Sequence, residues 1–339
     1  MSRWPGGLIR KTAITPAGPF QDGAAPGVWT IMEAAYWIKQ GLWPIAGNVV
    51  PRALFAGGYD TGFTNLQSID YVTITTTGNA SNFGSLVTAA SGLLMGCCGS
   101  STRSIFAGSA ATTNVIQFVS INTTGNAADF GDLLFGAQTA AAFSSSTRGV
   151  FAGNASSSTN VIQYITIATT GDAIDFGDLL NAIGQNSGLA SPTRGISAGG
   201  SSSTNVIEYV TIASTGDAID FGDLTAGRRF MGAASNSTTG LFMGGYTSGS
   251  DFNNIVDYIT IASTGNAIDF GDLSIEVNSP AGASSPTRVL AAGGSQTGAV
   301  PINNISYFTI STTGNSTSFG ILSSTRTRAA GASNAHGGI

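Results

Sequence analysis

The chain has 339 residues, a formal net charge of -5 and a pI near 4.7, and only 9% of its residues are charged. Its 13 basic residues form no cluster in the sequence, which argues against nucleic acid as a partner. The single histidine, His336, and the adjacent Cys97 and Cys98 provide no set of ligands at metal-site spacing. We therefore expect no metal, no cofactor and no catalytic centre.

The composition favours an all-β protein. Glycine takes 47 positions, and Thr, Ser, Ile and Val are abundant, whereas Lys and Glu, which surface helices use, are nearly absent. The N-terminus lacks the apolar segment of a secretory signal, and no apolar run reaches the length of a membrane helix. We expect synthesis without a signal peptide and no membrane insertion.

Residues 1–51 differ in composition from the rest and are predicted to form a separate N-terminal arm. Thr30 and Glu33 form a Thr-x-x-Glu capping box that begins a short helix, and Gly41 and Pro44 end it. A helix of this length is not stable alone, so it must pack either on its own chain or on a partner subunit. For the second alternative the candidate docking residues are the aromatic side chains of this segment, Trp4, Trp29, Tyr36, Trp37 and Trp43.

From residue 52 to 339 the sequence is repetitive. The segment NVIEYVTIASTGDAIDFGDL, from Asn205 to Leu224, recurs with small changes, and its Phe-Gly pair marks each copy. Successive copies are 45 to 49 residues apart. The six anchor residues are Phe83, Phe130, Phe176, Phe221, Phe270 and Phe319.

Each copy is predicted to contain four short strands, which is one blade of a β-propeller. Residues 206–212 alternate and are β-branched, a Gly-Asp turn follows, and residues 218–224 form the next strand. Upstream, residues 195–200 form a strand of small residues, which we expect to be a crowded inner strand. The small residues 229–235, between one Phe-Gly pair and the next copy, are long enough for the remaining strand.

The phase of the repeat predicts how the ring closes. The first copy begins at a second strand, residues 53–58, whereas the chain ends on an unpaired first strand, residues 328–334. We expect this C-terminal strand to complete the first blade, which leaves no exposed edge.

The order of these features resembles the kelch repeat, in which a second strand ends in Gly-Gly and the later strands carry aromatic residues. Phe occupies the place where kelch repeats usually have Trp, and two copies replace the second glycine, at Ser109 and Asn154. The resemblance implies a six-bladed kelch-like β-propeller. It says little about activity.

The sequences of the N-terminal arm and of the repeats also resemble virion proteins of tailed bacteriophages, particularly those of cyanophage-like phages. The matching segments are Gly-Val-Trp-Thr (27–30), Tyr-Trp-Ile-Lys-Gln-Gly (36–41) and the repeats of the Tyr-Ile-Thr-Ile-Ala and Asp-Phe-Gly-Asp-Leu type. The resemblance implies a non-enzymatic structural role as a tail fibre, baseplate appendage or surface decoration. The implied partners are other virion proteins bound through the arm, further copies of the chain and a host surface glycan.

Two series of charged residues recur with the repeat. Paired aspartates flank four of the anchors, as in Asp175 and Asp178, and their recurrence favours a structural role in each blade over a metal or catalytic site. Arginines begin five second strands, and a ring of them would bind an anionic glycan or an acidic partner, although a scaffold role is the stronger interpretation. This candidate ring is Arg52, Arg103, Arg148, Arg194 and Arg288.

Loops that differ between copies are better indicators of function than repeated positions. The long loops between second and third strands carry Tyr59, Phe63, Tyr246 and Phe252, aromatic residues of the kind that stack on sugars. We expect them on the face opposite the arginines, as a candidate glycan or receptor surface; contact with neighbouring virion subunits is the alternative. An extracellular adhesin or filament subunit is the alternative function for the whole chain, and a propeller-type glycan-active enzyme is less favoured.

Overall fold

The computed structural model describes residues 50–87, 96–108, 113–136, 141–154, 159–247 and 251–339. The chain divides into two units, Met1–Val50 and Pro51–Ile339. The predicted arm, its helix and its five aromatic docking residues lie outside the described residues.

The second unit is a six-bladed β-propeller, as the repeat predicted. Six four-stranded antiparallel sheets are present, and each follows the same order from the axis outwards. With strands numbered in chain order, blade 1 contains β26 (Ala330–Ser333), β1 (Arg52–Ala56), β2 (Ser68–Thr73) and β3 (Ser81–Ser85); blade 2 contains β4 (Gly96–Gly99), β5 (Arg103–Ala107), β6 (Val115–Ser120) and β7 (Ala128–Asp132); blade 3 contains β8 (Ala141–Ser144), β9 (Arg148–Asn154), β10 (Thr159–Thr166) and β11 (Ile174–Asp178). Blade 4 contains β12 (Ser187–Ala190), β13 (Arg194–Ala198), β14 (Val206–Thr211) and β15 (Ile219–Asp223); blade 5 contains β16 (Gly232–Ser235), β17 (Thr239–Met243), β18 (Ile255–Thr260) and β19 (Ile268–Asp272); blade 6 contains β20 (Ala281–Ser284), β21 (Arg288–Ala292), β24 (Asn304–Thr309) and β25 (Thr317–Ile321).

Two small elements lie outside this pattern. Blade 6 carries an extra hairpin of β22 (Ser295–Gln296) and β23 (Val300–Pro301) between its second and third strands. Blade 4 has a short 3₁₀ turn, Ser201–Ser203, at the equivalent place. Both are therefore variations of the same inter-strand loop.

The C-terminal strand closes the ring, as predicted. β26 pairs antiparallel with β1, from Ala53 opposite Ser333 to Ala56 opposite Ala330. The apolar core lies between neighbouring blades, and at the closure it joins Phe55 and Ile74 of blade 1 to Leu290 and Phe319 of blade 6.

The strand of small residues 195–200 is an inner strand, and it occupies the second place in its blade, as the repeat predicted. The strand containing residues 195–198 is β13, which lies second from the axis, and β12 lies inside it. The six innermost strands contact one another around the axis and consist mostly of Gly, Ala and Ser. A Cβ on Gly188 would lie only 2.7 Å from the carbonyl oxygen of Ala142 in blade 3. This crowding explains why the smallest residues occur there.

A β-bulge places each anchor phenylalanine in the core. In blade 4, Ile207 pairs with Gly222 and Glu208 with Asp220, so Phe221 is the additional residue of the outer strand. The same register shift occurs at the Phe-Gly pair of every blade. The bulge turns Phe221 inwards, where it is 2% exposed and lies edge-on to Tyr209, with ring centroids 6.0 Å apart.

The glycine after each anchor receives the turn of the next blade, a contact that we call the clasp. In the clasp between blades 3 and 4, the Gly216 amide donates to the Phe176 carbonyl at 2.8 Å. The Asp178 amide donates to the Asp217 side chain at 3.0 Å. Equivalent bonds to the Asn or Asp side chain of the turn occur at all six junctions, and at the closure the Gly78 amide of blade 1 donates to the Phe319 carbonyl of blade 6.

Candidate binding site on the loop face

The propeller has two faces with different chemistry. The tail face carries the first residues of the second strands together with residues 334–339, since the Asn334 side chain accepts from the Arg52 amide at 2.8 Å. The loop face carries the opposite ends of those strands and the variable loops. The predicted arginines and the predicted aromatic residues lie on opposite faces, as expected from the strand directions.

The five arginines of the candidate ring connect neighbouring blades. Each is half-buried, and its guanidinium lies over the aromatic ring of its own third strand, as Arg148 does over Tyr164 at 4.4 Å. The same guanidinium donates to a carbonyl of the next blade, in this case Ile212 at 2.8 Å. The other four guanidiniums make the corresponding bonds. This geometry supports the scaffold interpretation, because the donors already hold the blades together.

The repeated aspartates support the blades through their backbone. The amides of Asp132, Asp178, Asp223 and Asp272 donate to the turn of the following blade, while their side chains point away from the core. Within the described residues there is no group of three or more His, Cys, Asp or Glu side chains that could hold a metal ion. These four aspartates therefore take part in the clasps through their amides.

The C-terminal residues cover the central channel on the tail face. His336 lines a cavity of about 60 Å³ with Cys97, Cys98 and Ser144. Its Nε2 lies 3.0 Å from the Gly99 carbonyl, and its Nδ1 accepts from the Gly338 amide at 3.1 Å. Burial lowers the pKa of His336, so the neutral ring with a proton on Nε2 fits this site. Burial also raises the pKa of Cys97 to about 12, so its thiol is not a reactive thiolate.

Seven side chains form a continuous array across the loop face, which we call the aromatic–arginine array. Phe252 lies against Tyr246 with ring centroids 5.3 Å apart, and Tyr59 stacks on Phe63 at 5.7 Å. Two arginines and one phenylalanine connect these pairs. The array runs in the order Phe252, Tyr246, Arg229, Phe230, Arg328, Tyr59 and Phe63.

Phe230 is the centre of the array. The guanidinium of Arg229 lies 5.7 Å from the Phe230 ring and 5.2 Å from the Tyr246 ring. The guanidinium of Arg328 lies 5.2 Å from the Phe230 ring and 5.7 Å from the Tyr59 ring. Met231, which follows Phe230, lines a channel cavity of about 90 Å³. The array thus lies at the mouth of the channel on the loop face.

Buried ion pairs hold the two segments that carry the array. Arg228, next to Arg229, is fully buried and lies 2.6 Å from the Asp257 carboxylate. Arg326, two residues before Arg328, is also fully buried and lies 3.2 Å from Asp70. Burial lowers the pKa of both guanidiniums, and the neighbouring carboxylates oppose this effect. Each pair is also hydrogen-bonded to backbone carbonyls, which fixes the adjacent segment.

The sequence identified four of the seven members and missed three. Tyr59, Phe63, Tyr246 and Phe252 were predicted as one surface, and the structure brings them together in two pairs on one face. Arg229, Phe230 and Arg328 were not assigned to it, because they precede the inner strands and are distant in sequence from the loops that they contact. Arginines outside the strand-opening positions, in Arg-Arg-Phe (228–230) and Arg-Thr-Arg (326–328), were the available signal.

Comparisons with known proteins add no identification. No family model matches the chain, and no curated protein matches it. Within the described part of the chain, no helix is long and apolar enough to cross a membrane. The six-bladed β-propeller is therefore the level at which the chain is classified, and this fold is typical of protein-interaction domains.

Proposed function

We propose that this chain is a non-enzymatic structural protein of a tailed-phage virion, with a kelch-like propeller that is displayed for contact with proteins or host glycans. The observation that carries the proposal is the division of chemistry between the two faces of the propeller. Repeated polar groups are used in the clasps and the arginine contacts, whereas the unrepeated aromatic and basic side chains gather on the loop face. Such a division suits a rigid scaffold that presents one variable surface.

The N-terminal segment supplies the attachment in this proposal. It holds all four tryptophans of the chain, and Trp is a preferred anchor in protein interfaces. Its sequence resemblance to tailed-phage virion proteins covers the same residues. Attachment through residues 1–49 would hold the propeller on the particle, and many copies on one particle would strengthen individually weak contacts.

Purified particles provide the test. We expect mass spectrometry of gradient-purified virions to find the chain in multiple copies per particle. A full-length Trp29→Ala/Trp37→Ala variant should be lost from the particles, whereas a Phe63→Ala variant should be retained, because Phe63 is exposed on the loop face. Absence of the wild-type chain from purified particles would overturn the virion role. Retention of the tryptophan variant would overturn docking through the arm.

A further inference from the structure

We infer that the aromatic–arginine array binds an acidic sugar, with a carboxylate or sulfate on Arg229 and Arg328 and the sugar ring on the flanking aromatic side chains. This inference rests on the proposed role of the propeller as a displayed binding domain, and it adds the ligand class and three residues. The inference is argued from the contacts of the two arginines, the backbone conformation of the array and the exposure of its aromatic rings.

Arg229 is used differently from the other arginines. The five tail-face arginines donate to backbone carbonyls of the next blade, and Arg228 and Arg326 are paired with aspartates. Arg229 has one hydrogen bond, a long one from Nη1 to Gln185 Oε1 at 3.4 Å, besides its two ring contacts. Among the described residues it forms no ion pair with a carboxylate, in contrast to Arg228 and Arg326. An anionic ligand would supply the charged acceptor that Arg229 does not have in the described structure.

Two bulky residues of the array, Phe230 and Arg328, have a positive φ, a backbone conformation that favours glycine. Gln185, Phe230, Ser279 and Arg328 occupy the same position, two residues before the innermost strand of blades 4, 5, 6 and 1, and all have positive φ. Phe230 has φ 56° and Arg328 has φ 57°, in the left-handed region that disfavours bulky residues. The conformation recurs in four blades and therefore belongs to the fold, but only in blades 5 and 1 does it carry a ring and a guanidinium, which contact each other in the array.

The array combines charge with exposed aromatic area. Phe63, at one end, is 73% exposed, while Phe230, at the centre, is 9% exposed and has a cation on each side. A guanidinium accepts a planar carboxylate through two parallel hydrogen bonds, and an aromatic ring offers an apolar face next to it. An acidic sugar carries both an anionic group and an apolar ring face. A neutral sugar would use only the rings and leave Arg229 unsatisfied.

The two cations of the array, Arg229 and Arg328, belong to a chain with a negative net charge. The whole chain has a net charge of -5, so its overall charge does not attract anions. The buried pairs Arg228–Asp257 and Arg326–Asp70 hold the arginine-bearing segments in place before any ligand arrives. Binding would therefore require little reorganisation of the site.

The test uses the purified full-length chain and matched pairs of immobilised oligosaccharides. Each pair contains an acidic form (uronic, sialylated or sulfated) and its neutral counterpart, such as oligogalacturonate and its methyl ester. We expect binding to one or more acidic forms, at least about tenfold weaker binding to the neutral partner, and weakening by added salt. Equal binding to both members of each pair, or no binding to any acidic form, would overturn the inference.

Variants of the full chain locate the site. Arg229→Gln combined with Arg328→Gln should weaken acidic-sugar binding at least about tenfold. Arg103→Gln, which removes one charge on the tail face, is the control and should leave binding unchanged. Should the double variant fail to fold, Phe63→Ala, an exposed position, should still weaken binding several-fold. Unchanged binding in Phe63→Ala and in any folded arginine variant would overturn the assignment. Because the isolated chain is used, a negative result here is distinct from absence of the chain from virions.

Discussion

The clasp at the ring closure provides a quantitative test of what holds the propeller together. In Gly320→Ala, the added Cβ would lie 2.5 Å from the Gly78 carbonyl carbon and 3.1 Å from the Asn79 amide nitrogen. The turn of blade 1 must then move away from blade 6. Three hydrogen bonds span this clasp: Gly78 N–H to Phe319 at 2.9 Å, Ala80 N–H to Ile321 at 2.8 Å, and Ile321 N–H to the Asn79 side chain at 3.2 Å.

The loss of these bonds sets the expected magnitude. At about 1 kcal/mol of net stability for each bond, Gly320→Ala should lower the free energy of unfolding by about 3 kcal/mol. In a domain of this size, that corresponds to a fall in Tm of about 5 °C. Asn79→Ala removes only the side-chain bond and should cost about 1 kcal/mol. Differential scanning calorimetry and urea denaturation of the full chain measure both values.

Gly78→Ala is the matched control for this experiment. It makes the same chemical change in the same clasp, but an added Cβ at Gly78 meets no atom within 4 Å. Its stability should remain within about 0.5 kcal/mol of wild type. Equal effects of Gly320→Ala and Gly78→Ala would refute the clasp as the reason for the Phe-Gly glycine.

Three further predictions concern the blade interfaces. Glu208 occupies the place that Gln117 and Gln163 take in blades 2 and 3. Burial raises the pKa of Glu208 above its ordinary value of 4.5. The folded state therefore loses stability as the pH rises from about 4.5 through the raised pKa. Glu208→Gln should therefore have a higher Tm than wild type near pH 7, with the difference disappearing near pH 4; a constant difference in thermal melts at both pH values would contradict this. Thr239→Arg should add the missing sixth arginine contact, with the guanidinium over Tyr258 and directed towards the Ile310 carbonyl. Urea denaturation should show a gain in stability of about 0.5 to 1.5 kcal/mol. No gain would show that this junction cannot accommodate the arginine. Asp257→Asn should lower stability by about 3 to 5 kcal/mol, because Arg228 is left buried without its carboxylate, and Asp251→Asn, on an exposed loop, is the control in the same calorimetric comparison.

The repeat made most of the propeller predictable. The spacing of the Phe-Gly pairs determined the number of blades, and the incomplete first copy predicted the closure by residues 328–334, which the pairing of β26 with β1 confirms. These features are visible in sequence because each blade must contain the same strands and the same clasp.

The remaining features depend on contacts between blades, which a single repeat does not reveal. The repeat predicted a strand at residues 218–224 but not its bulge at Phe221, where Gly222 lies against the Gly265 turn of blade 5. The phase of the repeat distinguished first strands from second strands, although residues 195–200 and 232–235 are both rich in small residues. Only the arrangement around the axis shows that the first strands contact one another there.

The aromatic–arginine array was only partly predictable for a related reason. The loops revealed Tyr59 and Tyr246 because long insertions differ between copies. Arg229 and Arg328 belong to different blades and meet at Phe230 only after the ring has closed. No local pattern in sequence encodes that meeting.

The uniformity of the clasp has a consequence for how the ring forms. Each clasp is a head-to-tail contact in which one blade receives the turn of the next, and the closing clasp uses the same Gly, Phe and Asn groups as the others. Blade 6 therefore has no chemical means of distinguishing its own blade 1 from that of a second molecule. The preference for its own first blade comes from covalent connection, which sets a high effective concentration. Refolding at high protein concentration should consequently produce domain-swapped oligomers, with the C-terminal strand of one copy completing the first blade of another.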